Sequence, residues 1–137
     1  MKFIALNGKT KSLKRPERFL VDWKANSRSK FQTRVKEFLN DYWKYDFVYE
    51  EFPVVGTRLS IDFYNYTKKI AVEVQGMQHA RYSPFLHSNS KVNFLNQIER
   101  DGKKLEFCER NGIILVEIYP NDKLDRNEIL NKFGVEL

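Results

Sequence analysis

Two short runs constrain this chain most: Leu59-Ser60-Ile61-Asp62-Phe63-Tyr64, and Lys68 to Gln75 with Ile70, Val72 and Val74 at every second place. Only Asn65-Tyr66-Thr67 separates them, which reads as a turn between two β-strands. Side chains alternate across a strand, so Ile61 and Phe63 are expected on one face and Asp62 on the other. In the second run Ile70, Val72 and Val74 take one face, leaving Ala71, Glu73 and Gln75 opposite. An antiparallel hairpin closed around residues 65–68 brings Asp62 and Glu73 near each other. Two close carboxylates repel unless a cation sits between them. Hard oxygen ligands with room for water suit Mg²⁺ or Mn²⁺. The same acids also fit a plainer role, as polar residues on the exposed face of an amphipathic hairpin.

The rest of the chain supplies an α/β context. Phe31, Val35, Phe38, Leu39 and Trp43 recur at spacings of three and four, an apolar helix face that starts after Ser29 as N-cap. Phe47 to Phe52 reads as a strand ended by Pro53 and Gly56. Residues 77–91 form a polar loop that carries both histidines. Val92 to Asn111 read as a long helix with Phe94, Leu95, Ile98, Leu105 and Cys108 as its buried stripe, stopped at Asn111-Gly112. Ile113 to Tyr119 is a mostly apolar strand, and Arg126 to Phe133 a last helix. The expected order is a helix, a three-stranded antiparallel meander, a helix, a strand and a helix. Residues 29–137 make one domain, with residues 1–28 as a basic N-terminal arm docked through Trp23.

Charge separates along the chain. Residues 1–36 hold eleven of the 24 Lys and Arg against only Glu17 and Asp22, a net of +9, while the remaining 101 residues hold 13 basic and 16 acidic side chains, a net of −3. Such a leading basic segment points to a polyanion, because each neutralised phosphate releases counterions. Lys11, Lys14, Arg15, Arg18, Arg28, Lys30 and Arg34 are the candidate phosphate contacts, and Trp23 and Tyr82 the candidate stacking rings. No apolar run approaches the roughly 20 residues of a membrane helix. Met1 to Leu6 is shorter than a signal-peptide core of about 7–15 residues. The expectation is a cytoplasmic protein of a bacterium or a phage-infected cell, with high Lys, Asn, Phe and Tyr content hinting at a phage or mobile element. The single cysteine, Cys108, excludes an internal disulfide and a cysteine-rich zinc site, and reads as a core thiol.

Ile61-Asp62-Phe63 followed by Val72-Glu73-Val74-Gln75-Gly76-Met77-Gln78-His79, then Arg100-Asp101-Gly102-Lys103-Lys104 and Asn111-Gly112-Ile113, resembles the PD-(D/E)XK nuclease superfamily, and more narrowly its very-short-patch-repair-like branch. The resemblance spans roughly residues 29–118. It implies a restriction-endonuclease-like core and a Mg²⁺- or Mn²⁺-dependent endonuclease that hydrolyses the phosphodiester bonds of DNA, chiefly double-stranded. Repair, restriction and phage or mobile-element DNA processing are the settings it suggests. Asp62 and Glu73 would bind the metal, with the Val74 carbonyl as third ligand. Gln75 stands where most of the superfamily has lysine, and a glutamine can orient water but supplies no charge. Gln32 lies near where related sequences carry a metal-shell glutamate; Glu37, the nearest acid on that helix, falls off that face. His79 stands where the branch carries a histidine able to act as acid or base; His87 is the weaker candidate.

On the long helix Gln97, Asp101 and Lys104 fall along one edge. They either face the metal site, with Lys104 supplying the charge that Gln75 lacks, or form a solvated flank. A nuclease core without a separate specificity domain takes its specificity from DNA shape, its own loops, a homodimer or a partner protein. The alternative function is a catalytically inactive nuclease-like module that only binds nucleic acid. An unrelated RNA-binding domain fits less well, since the aromatics follow core periodicity and no RNP-type motif occurs.

Overall fold

The computed structural model describes residues 1–76 and 91–137. The chain forms β1 (Lys2–Ile4), β2 (Thr10–Ser12), a 3₁₀ turn at Pro16–Phe19, α1 (Lys30–Trp43), β3 (Val48–Pro53), β4 (Ser60–Asn65), β5 (Ile70–Val74), α2 (Lys91–Arg110), β6 (Ile114–Ile118) and α3 (Arg126–Phe133). It is a mixed α/β fold. One sheet has the order β3-β4-β5-β6, antiparallel except for the parallel β5–β6 pair, and β1 and β2 form a separate hairpin. The meander and the returning strand match the expected order of elements.

Helices cover both faces. Val35, Leu39 and Trp43 of α1, with Ile129 of α3, pack against Val48, Phe63, Val72, Val116 and Ile118. On the other face Phe107 and Cys108 of α2 pack with Phe3 of β1 against Tyr49, Phe52, Tyr64 and Ala71. Ser29 caps α1, its Oγ accepting from the Gln32 N–H at 3.0 Å, as the sequence predicts. Asp125 caps α3, and Gly112 and Gly134 turn with positive φ after α2 and α3. The segment after the 3₁₀ turn runs along β3, where the Val21 N–H bonds the Val48 carbonyl (3.0 Å) and shields that edge. Residues 1–28 are therefore built into the domain: Phe3 and Ala5 are buried core residues, an anchor the periodicity did not reveal beside Trp23.

Two expectations are corrected. Leu95, Ile98 and Leu105 are exposed, and within the proposed stripe of α2 only Cys108 is buried, joined by Phe107. A 20-residue helix is about 30 Å long, whereas the five-residue strands beneath it reach about 16 Å. Only the C-terminal half of α2 meets the sheet, rotated to bring Lys104 inward. Ile61 and Phe63 do not share a face either. Phe63 packs in the core under α1, and Ile61 packs with Phe52 and Phe107. Alternation breaks at the residue between them, Asp62. Among the described residues no helix is long and apolar enough to cross a membrane.

Candidate metal and nucleic-acid site

Asp62 sits where pairing fails on both sides of β4. On the β3 side Glu50 pairs with Phe63 and Phe52 with Ile61, but Glu51, opposite Asp62, takes no part. Its φ of 53° lies in the left-handed region, which costs a non-glycine residue about 1 kcal/mol or more and is concentrated at functional positions. On the β5 side the ladder ends at Phe63–Val72. The next step is made by side chains. The Asp62 N–H donates to Glu73 Oε1 (2.9 Å), and the Val74 N–H donates to Asp62 Oδ2 (2.7 Å). Both carboxylates are buried, Asp62 3% and Glu73 4% exposed, so they are not surface residues of an amphipathic hairpin.

Two cations reach this pair. Lys104 Nζ, from α2, lies 2.8 Å from Glu73 Oε2. Arg28, just before α1, spans Asp62 Oδ1 (3.1 Å) and Glu51 Oε1 (3.3 Å). Burial raises the Glu73 pKa to about 7, with the Asp62 charge adding to it and Lys104 opposing. Burial also raises Asp62, against the Val74 N–H that favours its charged form. The Cys108 thiol is pushed up to about 12 by burial, as befits a core thiol.

A second buried network supports the first. The Gln32 amide donates to Glu50 Oε2 (2.9 Å) and Glu51 Oε1 (3.0 Å). Lys36, 2% exposed, spends its three donors on Glu50 Oε1 (2.7 Å), the Ala25 carbonyl (2.9 Å) and the Asp22 carbonyl (3.2 Å). The Ser27 hydroxyl donates to Glu50 as well. With Ser29 fixed as the α1 cap, Arg28 is held between two anchored residues.

The sequence candidates distribute unevenly. Asp62, Glu73, Val74 and Lys104 meet directly, and Gln32 joins them through Glu51 and Arg28. Gln75 is buried at the end of β5, its N–H bonded to the Ile118 carbonyl (2.8 Å). Asp101 and Gln97 are partly buried on α2, and Gln97 Oε1 has no partner among the described residues. Glu37 is exposed on α1, away from the buried face. His79, His87 and Tyr82 lie outside the described residues. Lys11, Lys14, Arg15, Arg18, Lys30 and Arg34 are exposed. Arg18 folds back onto the Arg15 and Lys14 carbonyls, and Arg34 lies over Phe31. Trp23 packs against the core under α1. A cleft of about 310 Å³ lined by Arg18, Ser27, Arg28, Glu50 and Glu51 opens beside the site.

Glu50, Glu51 and Lys36 are the members sequence reasoning missed. The only sign was local: two consecutive acids ahead of Pro53, and a lysine on the apolar side of α1 between Gln32 and Leu39. Among the described residues no group of three His, Cys, Asp or Glu could hold a metal. The donors that fit a hard cation are two carboxylates and a peptide oxygen. A strand residue directs its N–H and C=O to the same neighbour, so the Val74 carbonyl faces the gap into which its N–H reaches Asp62.

Uncharacterized protein 033L of Invertebrate iridescent virus 3 is 38% identical over 66 residues, 48% of this chain and 34% of that protein. Uncharacterized protein 094L of Frog virus 3 (isolate Goorha) is 36% identical over 66 residues, 48% of this chain and 43% of that protein. Uncharacterized protein 307L of Invertebrate iridescent virus 6 is 38% identical over 60 residues, 44% of this chain and 30% of that protein. The chain thus spans less than half the length of these curated relatives. No family model and no solved structure matches.

Proposed function

We propose that this chain is a divalent-cation-dependent DNA endonuclease with a PD-(D/E)XK-like core. The observation that supports it most is the buried Asp62–Glu73 pair at the opening of the sheet, with the Lys104 ammonium 2.8 Å from Glu73. Asp62, Glu73 and the Val74 carbonyl would hold Mg²⁺ or Mn²⁺. A cation held there would supply Lewis-acid activation of water and neutralise charge developing on the scissile phosphate.

The chain's own groups do the rest. Lys104 brings from α2 the positive charge that Gln75 cannot bring from β5, and keeps Glu73 in reach of its ionised form. Arg28 places a guanidinium between the carboxylates and the basic surface, where it can turn to a phosphate as a planar, bidentate donor. Lys30 and Arg34 on the first turns of α1 add phosphate contacts that fix register without reading sequence. The viral origin of the three relatives fits processing of viral or mobile-element DNA.

One observation favours a module that only binds nucleic acid. Each carboxylate oxygen of Asp62 and Glu73 already accepts a bond from within the chain. The test is incubation of purified protein with supercoiled plasmid in Mg²⁺, Mn²⁺ or EDTA, beside Asp62→Ala. Nicked or linear product that needs the cation and Asp62 supports the nuclease. An intact plasmid, shifted equally in a gel by both proteins, supports the binding module.

A further inference from the structure

At the end of the sheet remote from Asp62, Phe47 (63% exposed) and Tyr66 (40%) remain in solvent, and Tyr45, two residues before Phe47 in the turn that follows α1, is 90% exposed. Phe47 and Tyr66 stand opposite each other one step beyond the Val48–Asn65 pair. The Tyr66 N–H donates to the Phe47 carbonyl (2.9 Å) and the Phe47 N–H to Thr67 Oγ1 (2.9 Å). Tyr66 prolongs the ladder of rings made by Phe52, Tyr49 and Tyr64 in the core. Tyr66 meets Tyr64 edge-on, with centroids 6.3 Å apart. Inside, these rings pack on one another; at the end of the ladder they face water.

The rim of this patch is cationic. Lys69 Nζ lies 4.0 Å from the Tyr66 ring centroid and Lys44 Nζ 5.2 Å from that of Tyr45. The neighbouring acid, Asp46, is already engaged by the Asn65 amide (2.8 Å) and Lys68 Nζ (3.6 Å). Three lysines against one acid disfavour docking a second copy of the same face, since like charges would meet. They suit a ligand that brings flat rings together with negative charge.

We propose that Tyr45, Phe47 and Tyr66 form a stacking platform for unpaired bases of a single-stranded nucleic acid, with Lys44, Lys68 and Lys69 holding its phosphates. A duplex hides the faces of its bases, so the platform selects single-stranded tails over blunt ends. The proposal rests on nucleic acid being the partner but not on cleavage. Tyr66 lies four residues along β4 from Asp62, about 13 Å at the strand rise. A strand bound here would reach the carboxylates after roughly four base steps of 3.4 Å.

The test is fluorescence anisotropy in EDTA with a labelled single strand of about 15 nucleotides, within the site sizes of such platforms, and with the matching blunt duplex. Wild type, Phe47→Ala and Tyr66→Ala are compared with Leu130→Ala, which alters an exposed apolar residue of α3. Each aromatic variant is expected to weaken single-strand binding about tenfold, with a much smaller change on the duplex and none in the control. Single-strand binding equal in all four proteins, with duplex binding intact, overturns the platform and leaves the nuclease standing. Binding of neither nucleic acid overturns both. A wild-type dimer in sedimentation that Phe47→Ala disperses identifies a second copy as the occupant, and also overturns the platform.

Discussion

Asp62 gives its backbone N–H to the Glu73 carboxylate at 2.9 Å, one residue beyond the last paired position of the β4–β5 ladder. Through this exchange two buried acids hold the sheet open instead of leaving it as polar decoration. The arrangement has a cost, because each acid sits beside the other's charge with little water to screen it.

That cost is visible in pH dependence. The Glu73 pKa in the folded chain, about 7, lies above the roughly 4.3 of an unperturbed glutamate, so the folded state binds the proton more tightly. The stabilisation is full below the unfolded value and is lost as pH rises through about 7. In EDTA the wild-type melting temperature should fall between pH 5 and 8 by more than that of Glu73→Gln. Parallel curves for the two proteins would show that Glu73 titrates as an ordinary carboxylate.

Lys104 should be needed for cleavage rather than for folding. Removing one preorganised charge at a phosphoryl-transfer site costs about 10²–10³ in rate, and Lys104→Gln should lose that much with its circular dichroism unchanged. Because Gln75 and Glu73 point to the same side of β5, Lys104→Gln combined with Gln75→Lys should recover part of the loss. Full activity in Lys104→Gln would show that the ammonium serves only to pair with the Glu73 carboxylate.

Lys36 holds residues 22–25 and Glu50 to α1 from a position almost without solvent. Breaking a fully buried ion pair costs 3–5 kcal/mol. Glu50 keeps 16% of its side chain exposed, so Lys36→Ala should cost roughly 2–4 kcal/mol in urea unfolding. A cost within about 0.5 kcal/mol would mark the contact as a surface pair.

The orientation of α2 is tested by two deletions. Phe107→Ala should cost about 3–5 kcal/mol and Ile98→Ala less than about 0.5. The reverse ranking would restore the stripe that periodicity suggested.

That stripe shows where sequence patterning stops. Periodicity found α1 and its Ser29 cap because the whole of α1 packs on the sheet, and it found β4 and β5 because Val72 and Val74 alternate against a covered face. In α2 the apolar residues of the first turns outrun the strands beneath them, so spacing alone could not say which ones are buried. Asp62, Glu73 and Lys104 were legible from spacing and motif. Glu51 was not, since its role comes from a left-handed backbone opposite Asp62, and Lys36 looked like any other lysine of the basic segment. Lys2 to Leu6 read as a short strand before the Asn7-Gly8 turn, which β1 bears out, but nothing in so short a run said that Phe3 would reach the core.

Whether Asp62 and Glu73 jointly hold one divalent cation, as proposed, can be measured without any nucleic-acid substrate. Mn²⁺ is titrated calorimetrically into wild type, Asp62→Asn and Glu73→Gln at a pH above the Glu73 pKa. One site is expected in the wild type, and either substitution should abolish it. Binding that persists in both variants, or none in the wild type up to millimolar Mn²⁺, would contradict the proposal.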